Sequence, residues 1–493
     1  MKYRAFIKIK AQSDILSRLM CPKFPQWFRL FFKKTWFGAS LWVVIAVVLW
    51  SSEGPSINTG DWDRVTVPAG FLAPSWEPMQ AQYSLGASAQ ITNNSSMGVL
   101  LSTMGWIIQR VGQTTLLTAP IFWALASAMA VGVFFLAHQK REPSSLLALS
   151  IFFLALLCYA VYLKSFYGEA LVLALAPVLC VGIRQLVLEN KVLLFTLSAV
   201  VVLYAKQQMI FVAPVILIML LRNMWLHGAA NPRLWASLFC IISVCAMLLG
   251  AHPENKAPNQ YNRYFNGVGW SLLQSSNWPA QRFEERHPYF YQHQQQLKTL
   301  FPDALPHYNY LGTSYLPTAS TLLDTARRSD STDAQKTQAQ DLFDQLVVQG
   351  RPDVYLLTLV QHPVILWRLV KNTYLTLVRS NYAVDYTRSG LRLAPAVAQV
   401  LINAQTLLAR MFGWVFVVTL LMALVYRRSL FSAAIAVWML LAPLAVVAGD
   451  GYFEFEKHMT AFFVFLPCAV MAVILRSPQV SAASPSENGL PQG

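Results

Sequence analysis

Apolar windows long enough to cross the roughly 30 Å hydrocarbon layer of a membrane recur along this chain. They lie near residues 36 to 51, 117 to 137, 146 to 163, 168 to 186, 233 to 250, 408 to 426, 430 to 448 and 459 to 475. A backbone in lipid must satisfy its own hydrogen bonds, so windows of this length are expected to cross as helices. Two shorter runs, 192 to 205 and 208 to 221, flank Lys206. Counted as separate spans, they bring the total to ten and put both termini on one side. The expected fold class is an all-α polytopic membrane protein.

Composition agrees. Of 493 residues, 55% are hydrophobic and 12% charged, richer in apolar groups and poorer in charge than a soluble chain of this size. The net charge of +15 is spread over short loops and the N-terminus rather than gathered in one patch, so no nucleic acid is expected as a partner. Membrane lipids are. Five of six cysteines (Cys158, Cys180, Cys240, Cys245, Cys468) sit inside apolar runs, and no CxxC occurs, so neither a disulfide framework nor a zinc site is indicated.

Orientation follows from Lys and Arg in the short loops. The inside receives nine bases of the N-terminal segment, Lys140 and Arg141, Arg184 and Lys191, Arg222 and Arg233, Arg427 and Arg428, and Arg476. Each loop fits the alternation only if the chain turns at Lys206; one long helix there would invert everything downstream. The expected organisation is a basic cytoplasmic N-terminus (1-35) and spans one to seven (36-250) with a first outer loop at 52-116. A long extracytoplasmic segment (251-407), spans eight to ten (408-475) and a cytoplasmic tail (476-493) of disorder-prone composition follow. The long segment exceeds what a structureless loop normally reaches. Thr332 or Asp333 can cap a helix ending near Gly350, and an amphipathic stretch, Val354 to Val378, is broken at His362-Pro363. Its mixture of Leu, Val and Trp367 with Arg368, Lys371 and Arg379 suits a helix lying in the bilayer interface.

Ionisable groups gather on the outer side. Asp450-Gly451-Tyr452-Phe453-Glu454-Phe455-Glu456-Lys457-His458 is wedged between two apolar stretches, where charges are costly and functional by default. Glu454 lies three residues before Lys457 and four before His458, one helical face. The first outer loop opens on Asn58-Thr59-Gly60-Asp61-Trp62-Asp63-Arg64; this is good turn chemistry, and its carboxylates are also placed for general-base work. Ser165-Phe166-Tyr167-Gly168-Glu169 joins two spans through a tight turn, where Lys164 and Glu169 can pair. Lys206-Gln207-Gln208 interrupts two short runs, so its turn is expected to be recessed, a position tolerated where protein or water surrounds it. Asn259, Asn262 and Asn266 stand among aromatics, a combination that suits sugar recognition as well as interfacial anchoring.

One chemistry uses an acid and several cations at the outer end of a helical bundle: transfer of a sugar from a polyprenyl phosphate to an acceptor hydroxyl. The departing phosphate needs cationic stabilisation more than a general acid. Arg64, Lys206, Lys457 and His458 are the candidates for that role, and Asp61 for taking the acceptor proton. Glu169, Gln208, Asp450 and Glu454 are supporting groups, Glu454 orienting Lys457 and His458.

The layout resembles the GT-C class of integral membrane glycosyltransferases. Short motifs are similar to those of the bacterial WsfD-like glycan biosynthesis hexosyltransferases: Asn58 with Gly60-Asp61 and Arg64, Ser165 to Glu169, Lys206 with Gln208, Asn259 to Asn266, and Gly449-Asp450-Gly451 with Glu454 and Lys457-His458. The resemblance implies a GT-C-like bundle of about ten helices, a polyprenyl-phosphate-linked hexose donor, a glycan or glycolipid acceptor, and a bacterial inner membrane location with the site facing the periplasm or exterior. In GT-C enzymes an acid of the first outer loop is catalytic, which by position falls on Asp61 or Asp63; Asp61 sits in the Gly-Asp-x-x-Arg pattern. No cofactor is required by the resemblance. Some members use a divalent metal, for which Asp61, Asp63 and Glu169 offer oxygen ligands to Mg²⁺ or Mn²⁺. The competing expectations are a polysaccharide polymerase or ligase using lipid-pyrophosphate glycans, and a lipid-sugar flippase or transporter.

Overall fold

The computed structural model describes residues 63–66, 70–72, 82–86, 95–138, 163, 165–166, 168–228, 230–250, 309–310, 313–314, 331–361, 363–379 and 430–450, with scattered positions in 145–152, 257–263 and 467–471. The expected spans at 36 to 51 and 408 to 426, the N-terminal segment and the tail lie outside these residues.

Helices dominate. In chain order they are α1 (Asp63–Thr66), α2 (Ser96–Arg110), α3 (Ala119–His138), α4 (Gly168–Glu189), α5 (Leu193–Leu203), α6 (Ala213–His227), α7 (Pro232–Gly250), α8 (Asp333–Gln349), α9 (Pro352–Gln361), α10 (Pro363–Arg379) and α11 (Leu430–Asp450). A 3₁₀ segment, Gln207–Val212, leads into α6. Among the described residues, four helical stretches are long and apolar enough to cross a membrane: Ala119–Ala137, Gly168–Glu189, Gln208–His227 and Pro232–Gly250. The protein is a polytopic α-helical membrane protein.

The core is built around α4, most of whose residues are buried. Neighbouring contacts fix the directions. Phe122 of α3 meets Phe166 just before α4, with ring centroids 5.9 Å apart, while Gly132 farther along α3 abuts Pro177 and Val178 farther along α4. The two helices therefore run parallel, and the chain between them must cross back, as the window at 146 to 163 requires. Residues 145, 148, 149 and 152 of that window are helical.

Helix α5 runs antiparallel to α4: Gly182 abuts Phe195, and Gly168 at the start of α4 abuts Ala205 just beyond the end of α5. After Lys206 the chain reverses, because Asn223 in α6 donates from Nδ2 to Oδ1 of Asn190, which precedes α5, at 2.7 Å. The expected turn at Lys206 is present. Helix α7 starts again at the Asn190 end, where Thr196 Oγ1 donates to Ser237 Oγ at 2.6 Å, and so it ends at the Lys206 end. Trp438 of α11 donates from Nε1 to the Phe211 carbonyl at 2.7 Å, and Cys468 lies 3.3 Å from Cys180, sulfur to sulfur.

The stretch expected as an outer loop, 52-116, contains more order than a loop. Strands β1 (Phe71–Leu72), β2 (Gln82–Leu85) and β3 (Thr115–Leu117) form an antiparallel sheet in that order, pairing Phe71 with Leu85 and Tyr83 with Leu116. Their period of two buries Tyr83, Leu85 and Leu116 and exposes Gln82, Ser84 and Thr115. Ser95 caps α2, its Oγ accepting from Gly98 N at 3.0 Å.

In the long segment, Thr332 and Gln335 form a capping box at the start of α8, and the chain breaks between α9 and α10 at Pro363, which cannot continue a helix unbroken. A small hairpin pairs β4 (Asn309–Tyr310) with β5 (Thr313–Ser314).

Candidate functional site

At the Lys206 end of the bundle two of the candidate residues, Glu169 and Lys206, meet. Lys206 takes an extended conformation between α5 and the 3₁₀ segment (φ −157°, ψ 146°), and this places its side chain beside the first turn of α4. There its Nζ lies 2.6 Å from Oε1 of Glu169. The carboxylate is nearly sealed, with 2% of its side chain exposed, and the Lys206 side chain is 18% exposed.

Close backbone approach makes the pair possible. A Cβ on Gly168 would collide with the carbonyl oxygen of Ala205, so only glycine lets the start of α4 and the end of α5 come this near. Glu169 is also an acid in the first turn of a helix, where the macrodipole favours negative charge.

An ammonium has three donors, and among the described residues one of those of Lys206 has a partner, Glu169. Two buried acceptors, Glu169 Oε2 and Gln208 Oε1, have no hydrogen-bond partner among the described residues. A half-buried cation with donors to spare, next to acceptors with lone pairs to spare, suits a ligand that carries both an anion and hydroxyl groups.

The elements of the 52-116 stretch reach this end. Ser96 at the start of α2 donates from its backbone N to Tyr204 O at 2.7 Å and from Oγ to Val201 O at 2.8 Å. Helix α1, which contains Asp63 and Arg64, packs against α2. Phe166, fully buried, is the hub between sheet and bundle: its ring lies 6.2 Å from Phe71, 5.6 Å from Tyr83 and 5.9 Å from Phe122. The start of α2 and the sheet are thereby seated at the Lys206 end, and α1 packs on α2.

A second junction ties distant parts of the chain together. Arg263 donates from Nε to the Ala448 carbonyl and from Nη1 to the Gly350 carbonyl, the latter at 2.9 Å. Ala448 lies two residues before Asp450, the last residue of α11. Gly350 in turn has Gln260 so close that a Cβ would collide with its backbone. Tyr261 stacks on Phe343 at 5.7 Å, and burial pushes its phenol far above its ordinary pKa, which keeps it neutral.

Of the sequence-derived candidates, the structure brings Glu169 and Lys206 into contact and sets Gln208 two residues farther on. Asp63, Arg64 and Asp450 are placed by their backbones. Asp61, Asn259, Asn262, Asn266, Glu454, Lys457 and His458 lie outside the described residues. Glu169 pairs with Lys206; the alternative partner considered from sequence, Lys164, lies outside them as well. Among the described residues no group of three His, Cys, Asp or Glu side chains gathers as a metal site. Sequence reasoning misses Arg263, because its partners are backbone carbonyls, which leave no mark in sequence.

The profile of a family described as the YfdI N-terminal transmembrane domain matches residues 39–286, half of the chain. The chain belongs to this family. The YfdI-family segment contains α1 to α7 and the Arg263 turn, and so includes Asp61, Asp63, Arg64, Glu169, Lys206, Gln208, Asn259, Asn262 and Asn266. Asp450, Glu454, Lys457 and His458 lie beyond it. No curated protein and no solved structure matches the chain.

Proposed function

We propose that this protein is an integral membrane glycosyltransferase that moves a hexose from a polyprenyl-phosphate donor to a hydroxyl of a glycan or glycolipid on the extracytoplasmic face of a bacterial inner membrane. YfdI is a GT-C-like membrane glycosyltransferase, and the narrower likeness to WsfD-like hexosyltransferases rests on the sequence motifs alone. The observation that carries the reading is the Glu169–Lys206 pair at 2.6 Å, set in the bundle end to which the first outer loop is packed.

In the reaction the acceptor oxygen forms a bond to the anomeric carbon while the bond from that carbon to the phosphate oxygen breaks. The acceptor proton passes to Asp61, with Asp63 the neighbouring acid, and the polyprenyl phosphate leaves with the bonding pair. Lys206, Arg64, Lys457 and His458 offset the charge that develops on the phosphate. Glu169 holds Lys206 in place; Gln208, Asn259, Asn262, Asn266 and Asp450 supply polar contacts to the sugars, and Glu454 orients Lys457 and His458. No step requires a metal, although the carboxylates of Asp61, Asp63 and Glu169 are of the type that binds Mg²⁺ or Mn²⁺.

The test is incubation of the purified protein in nanodiscs with labelled polyprenyl-phosphate hexoses and, as acceptor, membranes from a deletion strain. Movement of label to a glycan or glycolipid, abolished by Asp61→Asn, is expected. Label that stays on the lipid would overturn the reading, and transfer only from pyrophosphate-linked glycans would point to a polymerase or ligase.

A further inference from the structure

Two helices end at Arg263. Helix α8 closes on Gly350, its C-cap, and the Gly350 carbonyl accepts from Arg263 Nη1 at 2.9 Å. Helix α11 runs to Asp450, and the carbonyl of Ala448 in its last turn accepts from Arg263 Nε. The last four carbonyls of a helix have no partner within it, and that end carries the negative pole, equivalent to roughly half an elementary charge.

Neither α8 nor α11 has a base in its own last turn, and Asp450 adds an acid to that of α11. Two such ends brought together repel each other. A guanidinium keeps its charge and presents its donors as a rigid fork, and here the fork takes one carbonyl from each helix.

The segment that carries Arg263 is itself anchored. Tyr261 is fully buried and stacks on Phe343 of α8, and Gln260 touches Gly350 so closely that no Cβ fits between them. Arg263 lies within the YfdI-family segment, whereas α8 and α11 lie beyond it. The fork therefore joins the family part of the chain to the rest.

In the function proposed above, the stretch that follows α11 holds the donor phosphate through Lys457 and His458. An uncompensated helix C-terminus is a poor neighbour for a phosphate. We propose that Arg263 is a positioning residue for that reaction. It locks the last turn of α11, from which the Asp450 to His458 stretch departs, and it offsets the negative ends of α8 and α11 so that a polyprenyl phosphate can be held beside them. The inference rests on the reading of Lys457 and His458 as phosphate contacts, and Arg263 acts through the helix ends that it binds.

Binding of polyprenyl phosphate, the leaving group, tests this by microscale thermophoresis on the full-length protein in phosphatidylcholine nanodiscs, with the thermal midpoint measured in parallel. Arg263→Ala is expected to weaken binding about tenfold, the size of a helix-end charge effect in a partly buried setting. Arg263→Lys, which keeps the charge but not the fork, should recover part of the loss. Phe343→Leu loosens the stack on the α8 side and leaves both carbonyls to Arg263; a lower midpoint with wild-type binding is expected. Equal loss of binding in Phe343→Leu and Arg263→Ala would make Arg263 a strut and overturn the proposal, as would wild-type affinity in Arg263→Ala. If Arg263→Ala does not fold, Arg263→Gln carries the same expectation, since its amide reaches one carbonyl only. Wild type that fails to bind polyprenyl phosphate would overturn the donor reading itself and this inference with it, an outcome distinct from any difference among the variants.

Discussion

Glu169 and Lys206, separated by 37 residues, are joined at 2.6 Å between Oε1 and Nζ. The pair closes the gap between the first turn of α4 and the break after α5. Burying a lone charge costs far more than burying a satisfied pair, so each residue is the other's condition for being there. The consequence for chemistry is a cation fixed in position with donors left for an anion.

Gly168→Ala tests the close approach on which the pair depends. The new methyl would strike the Ala205 carbonyl, and overpacking of this kind costs about 1–3 kcal/mol. A lower midpoint in thermal unfolding of the detergent-solubilised protein is expected, together with loss of transfer activity. Wild-type stability and activity would mean that α4 and α5 do not meet here.

Phe166→Ala removes the ring that joins the outer sheet to the bundle. Truncation of a buried Phe costs about 3–5 kcal/mol. The sheet loses its seat while the spanning helices keep theirs, so limited proteolysis is expected to cut the 67–95 region faster than in wild type. Phe166→Leu, which retains apolar volume, should largely restore protection.

Cys180 and Cys468 supply a distance check that is independent of function. Their sulfurs are 3.3 Å apart, so a modest shift brings them to bonding distance. Treatment of membranes with a lipid-soluble oxidant is expected to link the two, seen by mass spectrometry as a peptide joining α4 to the 459–475 span. Failure to link, with both thiols still alkylated after denaturation, would place that span elsewhere.

Much of the bundle was legible in sequence because lipid imposes simple rules on length and charge. The reversal at Lys206 followed from loop charges, and a helix from Thr332 or Asp333 to near Gly350 from its capping residues, of which the structure selects Thr332. The three-stranded sheet was not legible: strands of two to four residues are too short for alternation to register, and the Phe166 cluster that seats them is tertiary. Glu169 and Lys206 were each marked as candidates, but nothing local said that they pair, since Lys164 stands closer in sequence. The amphipathic pattern after Pro352 marked α9 and α10 as helical; the packing of α10 on α11 depends on Tyr374 reaching the Leu440 carbonyl. The Arg263 junction was hidden for the same reason.

The most direct test of the central claim is polyprenyl phosphate release by wild type, Glu169→Ala, Lys206→Ala and the exchanged pair Glu169→Lys with Lys206→Glu. Each single variant leaves one buried charge without its partner, expected to cost about 3–5 kcal/mol. The exchange re-forms an ion pair and should recover much of the thermal stability, but it moves the cation from the Lys206 turn to the start of α4. Recovered stability with release still at background is the predicted result. Release restored along with stability would make the pair a strut of the bundle and contradict its role in the transfer site.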